Sequence, residues 1–317
     1  MKEQQPILLS PAYKDYLWGG TKLKIEWGKE TDLEILAESW ELSAHKDGQS
    51  VVKTGAFAGC TLSAYIEKNG KESLGTKAEG MDYFPILIKL IDAKKDLSVQ
   101  VHPEDAYALE NEGEYGKTEM WYILDCEEGA SLYYGFSKDV TKAEYREAIE
   151  NNTLTEILNQ VPVHPGDVFF IPAGTVHAIG AGILICEIQQ NSNTTYRVYD
   201  YNRKDKDGNT RPLHIEKAIA VSDLKKSPEL PVIPDGEMVT LAECEYFAVR
   251  RIRVKEEKEL EISKQSFHSL IVTEGSGTLL MDGESLTFTK GDSIWIPAQD
   301  GGYTIQGKCE LILSALD

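Results

Sequence analysis

The chain is cut into short runs of β-branched and aromatic residues, with glycine, proline, asparagine and aspartate standing between them. SVVKTG, YFPILIKLID, LSVQVH, EMWYILD, SLYYGF, DVFFIPA and ILICEIQQ follow one another up to residue 190. YFAVRRIRV, HSLIVTEGSGTLLMDG, SLTFTKGDSIWIPA and CELILSAL complete the series. Such side chains fit a pleated surface, and so many short strands must stack or close on themselves to bury their apolar faces. A mainly β fold is therefore expected. The largest exception runs from about Val140 to Asn159, VTKAEYREAIENNTLTEILN. There Thr141 and Glu144 make a capping box, and Tyr145, Ile149, Leu154, Ile157 and Leu158 supply an apolar stripe, so one long helix is expected. Shorter helices are expected at Leu62 to Glu67 and Pro103 to Leu109.

KKSPELPVIPDGE, residues 225–237, carries three prolines and no periodicity, which marks a linker. It divides the chain into a longer front domain, 1–235, and a tail, 236–317, with the spacing of a small antiparallel sandwich and a hairpin turn at Asp282-Gly283. One pattern occurs on both sides of the linker. GDVFFIPAGTVHAI starts at Gly166 and GDSIWIPAQDGGYTI at Gly291, sharing Gly-Asp, three residues, then Ile-Pro-Ala. Eleven residues after its glycine the first copy has His177, and the second has Gly302.

Charge and composition narrow the function classes. A formal charge of −19 over 317 residues disfavours nucleic acid and anionic membrane surfaces, which need a basic face. An acidic protein still binds a small anion where a local Arg/Lys cluster outweighs the screened distant field. No apolar run reaches the roughly 20 residues that span a bilayer, and MKEQQPILLS lacks the n- and h-regions of a signal peptide, so a cytoplasmic location is expected. Cys60, Cys126, Cys186, Cys244 and Cys309 are odd in number, scattered and outside any C-x-x-C pair, which fits reduced thiols.

The first copy of the repeat fits G-x5-P-x-G-x2-H through Gly166, Pro172, Gly174 and His177. This spacing resembles the second motif of the cupin superfamily, jelly-roll β-barrels whose histidine faces inward to a metal. The resemblance implies two cupin-like barrel or sandwich domains, with a small helical insertion at about 138–160 in the first. Upstream, Gln100 and His102 stand at i and i+2, on one face of a strand, and Glu119 follows seventeen residues after His102 in KTEMWYIL. Two imidazoles, a carboxylate and an amide oxygen suit a borderline ion such as Zn²⁺ with room for a further oxygen ligand.

Q-x-H-P, then K-x-E-M, then P-A-G-x-x-H-A, then an Asn-rich segment ending in arginine is similar to the type I phosphomannose isomerases in their short bacterial form. PAYKDYLWGGTKL and AESWELSAHKDG resemble the family's front segments, so the likeness covers nearly the whole chain. It implies one Zn²⁺ per chain on Gln100, His102, Glu119 and His177. It also implies an aldose–ketose isomerase that interconverts mannose 6-phosphate and fructose 6-phosphate through a cis-enediol. Arg197, in NSNTTYRVYDYNR, matches the family's active-site arginine, and Arg203 falls where the family has a basic phosphate-binding residue. Ser98, two residues before Gln100, is a candidate hydroxyl for the same phosphate, and Lys117, two before Glu119, would share that residue's face. Glu187 lies within the apolar run ILICEIQQ, where a buried carboxylate would suit proton transfer and an outward-facing one would be structural. The base is left open between Glu187, Lys117, His102 and a metal-bound water. Two alternatives remain: an Fe²⁺-dependent cupin dioxygenase, disfavoured by Gln100 and the arginine segment, and a non-catalytic sugar-phosphate binding protein.

Overall fold

The computed structural model describes residues 4–204 and 208–316. The chain is mainly β, and it forms two compact units. They do not follow the expected division into 1–235 and 236–317. The second unit is Leu17–Gly20 with Ile91–Pro231, and the first gathers Met1–Tyr16, Thr21–Leu90 and Val232–Asp317. A boundary between the units, at Pro231 and Val232, falls inside the proline-rich segment, and the front of the chain groups with its tail. Pairing explains this: Ile7, Leu8 and Leu9 lie in antiparallel register with Trp295, Ile294 and Ser293. Those leading apolar residues are buried, which an isolated tail sheet would forfeit at about 1.5–3 kcal/mol per side chain.

In the first unit one nine-stranded sheet carries the strands Met238–Cys244, Phe247–Val254, Gly301–Ala315, His268–Met281, Ser293–Ile296, Ile7–Ser10 and Val51–Val52 in that order. Glu257–Ile262 and Glu284–Thr289 join it as branches. One face buries a continuous apolar core that includes Ile252, Leu270, Val272, Ile294, Ile305, Leu311 and Leu313. Asp282 and Gly283 both adopt positive φ, 49° and 83°, as the expected two-residue hairpin turn requires.

The second unit has a five-stranded sheet of Leu158–Pro162, Ser131–Phe136, His177–Ala178, Val99–Val101 and Tyr196–Tyr199. Its other sheet sets Val168–Ile171 and Ile183–Gln190 on either side of Glu119–Cys126. Val99, Val101, Ala178, Tyr196 and Val198 of the five-stranded sheet pack with Tyr145, Ile149, Ala218 and Ile219 of the helices Lys142–Glu150 and Ile215–Val221. The helices cover that face with hydrocarbon. By strand alternation, the residues between these positions, Gln100, His177 and Arg197, project from the opposite face.

The expected long helix is shorter than its apolar stripe suggests. Thr141 and Glu144 do form the capping box, but the helix ends at Glu150. Asn152 takes a left-handed φ of 58°, and Leu158–Pro162 becomes a strand paired with Ser131–Phe136. Asparagine tolerates that backbone conformation better than most residues, so Asn151-Asn152 acts as the stop. Leu154 and Leu158 still enter the same core, from a 3₁₀ turn and a strand. Helices Leu62–Asn69 and Asp105–Glu112 occupy the two other expected positions. No helix among the described residues is long and apolar enough to cross a membrane.

Candidate metal centre

The two sheets of the second unit each supply one row of polar side chains. Across the five-stranded sheet Gln100 is the register partner of both His177 and Arg197. Across the other sheet Glu119 is opposite Gln189, and Trp121 is opposite Glu187. The rows meet. His177 Nε2 lies 3.3 Å from Glu119 Oε1, and His102 Nε2 lies 3.6 Å from Glu119 Oε2. The Gln100 amide is 3.3 Å from His177 Nε2.

Both imidazoles are oriented from behind. His102 Nδ1 bonds the Thr194 carbonyl at 2.8 Å and His177 Nδ1 the Thr175 carbonyl at 2.9 Å. A carbonyl only accepts, so each Nδ1 carries the proton and each Nε2 presents its lone pair to the centre, the arrangement a metal requires. The turn in the histidine motif serves the same end. Gly174, at φ 89°, donates its backbone N–H to the His102 carbonyl at 2.8 Å, clamping the motif against the Gln-x-His segment. Its Cβ would stand 3.0 Å from the Val221 carbonyl, so the left-handed turn and the close approach both favour glycine here.

His102, Glu119 and His177 are each at most 1% exposed, and together they form a three-residue metal-capable group whose ligand atoms lie within 4.8 Å of one another. Burial pushes the His177 pKa down to about 4, and nearby Lys117 acts in the same direction. The ring is thus neutral at pH 7, as a ligand must be. Lys117 Nζ sits 2.6 Å from Glu119 Oε2, 3.2 Å from His102 Nε2 and 3.8 Å from Glu187 Oε1. Glu187, 3% exposed, therefore faces inward, and its Oε1 accepts from Trp121 Nε1 at 3.1 Å. Counted formally, two carboxylates and one ammonium leave a buried site one charge negative before any cation enters. A divalent ion offsets that charge, and the N/N/O donor set with an adjacent amide fits zinc.

Between His102 and Glu119 the chain forms the helix Asp105–Glu112 and then a turn. Asp105 Oδ1 accepts from Gly116 N at 2.7 Å and from Gln190 Nε2 at 3.0 Å, while Lys117 N donates to the Pro103 carbonyl at 3.0 Å. These bonds return Lys117 and Glu119 to the Gln-x-His segment despite the interruption.

Beside this centre lies a basic group. Asp200, 5% exposed, holds Arg211 through two bonds of 2.8 and 2.7 Å and lies 3.7 Å from Arg203. Arg203 Nη2 donates to the Asp96 carbonyl at 2.6 Å, and Arg197 Nη1 donates to the Pro212 carbonyl at 3.1 Å. Arg197 Nε and Arg203 Nη1 are buried and have no hydrogen-bond partner among the described residues. Desolvation lowers the Arg197 pKa from its usual value, and the charges of Arg211 and Arg203 act the same way against Asp200. Three guanidinium groups around one carboxylate are a local positive excess in a chain of charge −19.

Direct contacts join Gln100, His102, Lys117, Glu119, His177 and Glu187 into one cluster. Arg197 borders it by register, and Arg203 belongs to the basic group instead. Ser98, 4% exposed, comes two residues before Gln100, and among the described residues no hydrogen bond or ion pair ties it to either group. Trp121, Asp200 and Arg211 were not anticipated. Trp121 was legible, since it alternates with Glu119 on one strand; its ring also meets His177 edge-on at 5.3 Å. The remaining histidines stay outside the centre: His164 is 77% exposed, and His214 Nδ1 accepts from the Arg197 backbone N–H at 3.1 Å. All five cysteines are free thiols.

Residues 7–133 match the family model "Phosphomannose isomerase type I, catalytic domain", and residues 237–316 match "Mannose-6-phosphate isomerase, cupin domain". The chain is 42% identical to the mannose-6-phosphate isomerase ManA of Bacillus subtilis (strain 168), over 98% of this chain and 99% of that one. It is 37% identical to a mannose-6-phosphate isomerase of Streptococcus mutans, over 98% of each. The crystal structure of a Bacillus subtilis mannose 6-phosphate isomerase superimposes with a TM-score of 0.90 at 38% identity, covering 98% of this chain and 99% of the other. A putative mannosephosphate isomerase from Archaeoglobus fulgidus gives 0.81 at 27% identity, covering 99% and 98%. With nearly full-length identity at this level and both family models matched, the chain belongs to the type I phosphomannose isomerase family.

Proposed function

We propose that this chain interconverts mannose 6-phosphate and fructose 6-phosphate at one zinc ion held by Gln100, His102, Glu119 and His177. The observation that carries the reading is the buried cluster in which two metal-oriented imidazoles and Glu119 sit against the ion-paired Lys117 and Glu187. Aldose–ketose exchange moves one proton between C1 and C2 through a cis-enediol and develops negative charge on the adjacent oxygens. Bound zinc supplies a Lewis acid for that charge, worth several kcal/mol in comparable sites.

The protein's own groups account for the rest. Lys117 lies between both carboxylates, where an ammonium can donate to a substrate oxygen and remain neutralised on its other side. Glu187 is fixed by the Trp121 N–H on Oε1, so its carboxylate is positioned to take and return a proton. Arg197, beside Gln100, suits an enediolate oxygen, and Arg203 with Arg211 suits the phosphate at the far end of the sugar's carbon chain. Ser98, just before the strand that carries Gln100, is a candidate hydroxyl for the same phosphate. Burial excludes water from the reacting carbons and strengthens every charge interaction there.

A coupled assay with mannose 6-phosphate tests the reading. Turnover is expected in the zinc-loaded protein and a loss of at least about 100-fold in His177→Ala and in Arg197→Ala. Undiminished turnover in either variant would remove that residue from the site.

A further inference from the structure

The second copy of the Gly-Asp-x3-Ile-Pro-Ala pattern has lost its metal histidine but has gained an inward polar group of its own. Gly302, at the offset of His177, is exposed, and the next residue, Tyr303, is 3% exposed within the apolar core of the first unit's sheet. A shift of one residue along a strand reverses which side chains face inward. The Tyr303 hydroxyl lies 2.9 Å from Nδ1 of His268.

A cavity of about 580 Å³ opens at this pair, within the range of small-molecule sites, and Met238, Arg250, Leu260 and Leu313 also line it. Every lining residue belongs to the first unit. Arg250 alternates with Ile252 and Val254, so it projects from the core-facing side of the Phe247–Val254 strand. Arg250 is half-buried as a residue, and no hydrogen bond or ion pair reaches its guanidinium among the described residues. Its strand neighbours differ: Arg251 lies 3.9 Å from Asp235, and Arg253 pairs with Asp235 and Glu310. The buried Tyr303 hydroxyl has no other acceptor among the described residues, so it donates to Nδ1 of His268. Nε2 of that neutral ring then carries the proton, and the cavity receives two kinds of donor, a guanidinium and an imidazole N–H. Burial, with the charge of Arg250, pushes the His268 pKa down to about 4, which keeps the ring neutral.

We propose that this cavity is a second binding site, for a small organic carboxylate of single negative charge held by Arg250 and His268 against Met238, Leu260 and Leu313. A guanidinium matches a carboxylate through two parallel bonds, and the apolar wall takes the organic body. The rim sets the charge. Glu259 and Glu261 are exposed beside the cavity, so the second charge of a phosphate monoester would face two carboxylates with one guanidinium to offset it.

The full-length zinc-loaded protein can be titrated with benzoate, butyrate and lactate by saturation-transfer NMR, with inorganic phosphate and fructose 6-phosphate as competitors. At least one carboxylate is expected to bind saturably, to lose about tenfold or more in affinity in Arg250→Ala and in His268→Gln, and to keep its affinity in Arg197→Ala. Both cavity variants are expected to turn over mannose 6-phosphate at the unaltered rate, which also reports that they fold. No saturable binding of any of the three probes, binding undiminished in folded Arg250→Ala or His268→Gln, or displacement by phosphate would each overturn the proposal.

Discussion

At the scale of single residues, the centre depends on what stands behind each functional group. His102 and His177 are fixed by carbonyl oxygens, Glu187 by an indole N–H, and Arg211 by two oxygens of the buried Asp200. Arg211 is remote from the metal ligands by contact, so its loss is expected to weaken substrate binding more than chemistry. Arg211→Ala should raise KM about tenfold and change kcat little, consistent with one charge-assisted contact at a partly exposed site, and Asp200→Asn should follow it. Steady-state kinetics reads the split; a fall in kcat with KM unchanged would place Arg211 in the chemistry. Much of this site was legible in the sequence because strand alternation is simple. Gln100 with His102 and Lys117 with Glu119 are i, i+2 pairs, and both pairs converge on one centre. Arg211 was not legible, because it comes from a loop eight residues past Arg203 that has no periodicity to place it.

At the scale of elements, the repeated Gly-Asp turn is one backbone conformation used in two settings. Gly166 has φ 95° and nothing within 4 Å of its would-be Cβ, whereas Gly291 has φ 91° and the Trp27 carbonyl oxygen only 2.2 Å away. Gly166→Ala is expected to cost about 1–2 kcal/mol for the left-handed backbone alone. Gly291→Ala is expected to cost at least about 1 kcal/mol more, because backbone of the Trp27 segment must shift as well. Urea unfolding midpoints distinguish the two; equal losses would show that the Trp27 contact carries no weight. Elements with a local stop or start signal were readable, as the Thr141 capping box and the Asp282-Gly283 turn show. The end of that helix was not, because Leu154, Ile157 and Leu158 satisfy a helical period while the chain delivers them through a 3₁₀ turn and a strand. Both routes bury the same side chains, so periodicity could not separate them.

At the scale of the whole molecule, the sequence order hides the division of the chain. A proline-rich linker is a local composition signal and was visible, whereas the pairing of Ile7–Ser10 with Ser293–Ile296 joins residues nearly a chain length apart and leaves no local trace. Within the first unit, His268 gives stability a pH signature. The folded His268 pKa, pushed down to about 4, lies below the unfolded value of about 6.5, so the unfolded chain takes up a proton that the folded one refuses. This contribution is complete above about pH 6.5 and is lost as pH falls toward 4, amounting to about 2 kcal/mol between pH 7.5 and pH 5. His268→Gln is expected to lose less stability than the parent over that interval in chemical unfolding; identical slopes would show that His268 titrates normally.

The central claim is that the half-buried Gln100 and the buried His102, Glu119 and His177 hold the metal on which isomerisation depends. The most direct test measures zinc content and the rate of mannose 6-phosphate isomerisation on one preparation before chelation, after chelation and after zinc is restored. The expected result is about one zinc per chain, a loss of at least about 100-fold on its removal and recovery in proportion to the zinc regained. Full activity in folded protein stripped of metal would contradict it.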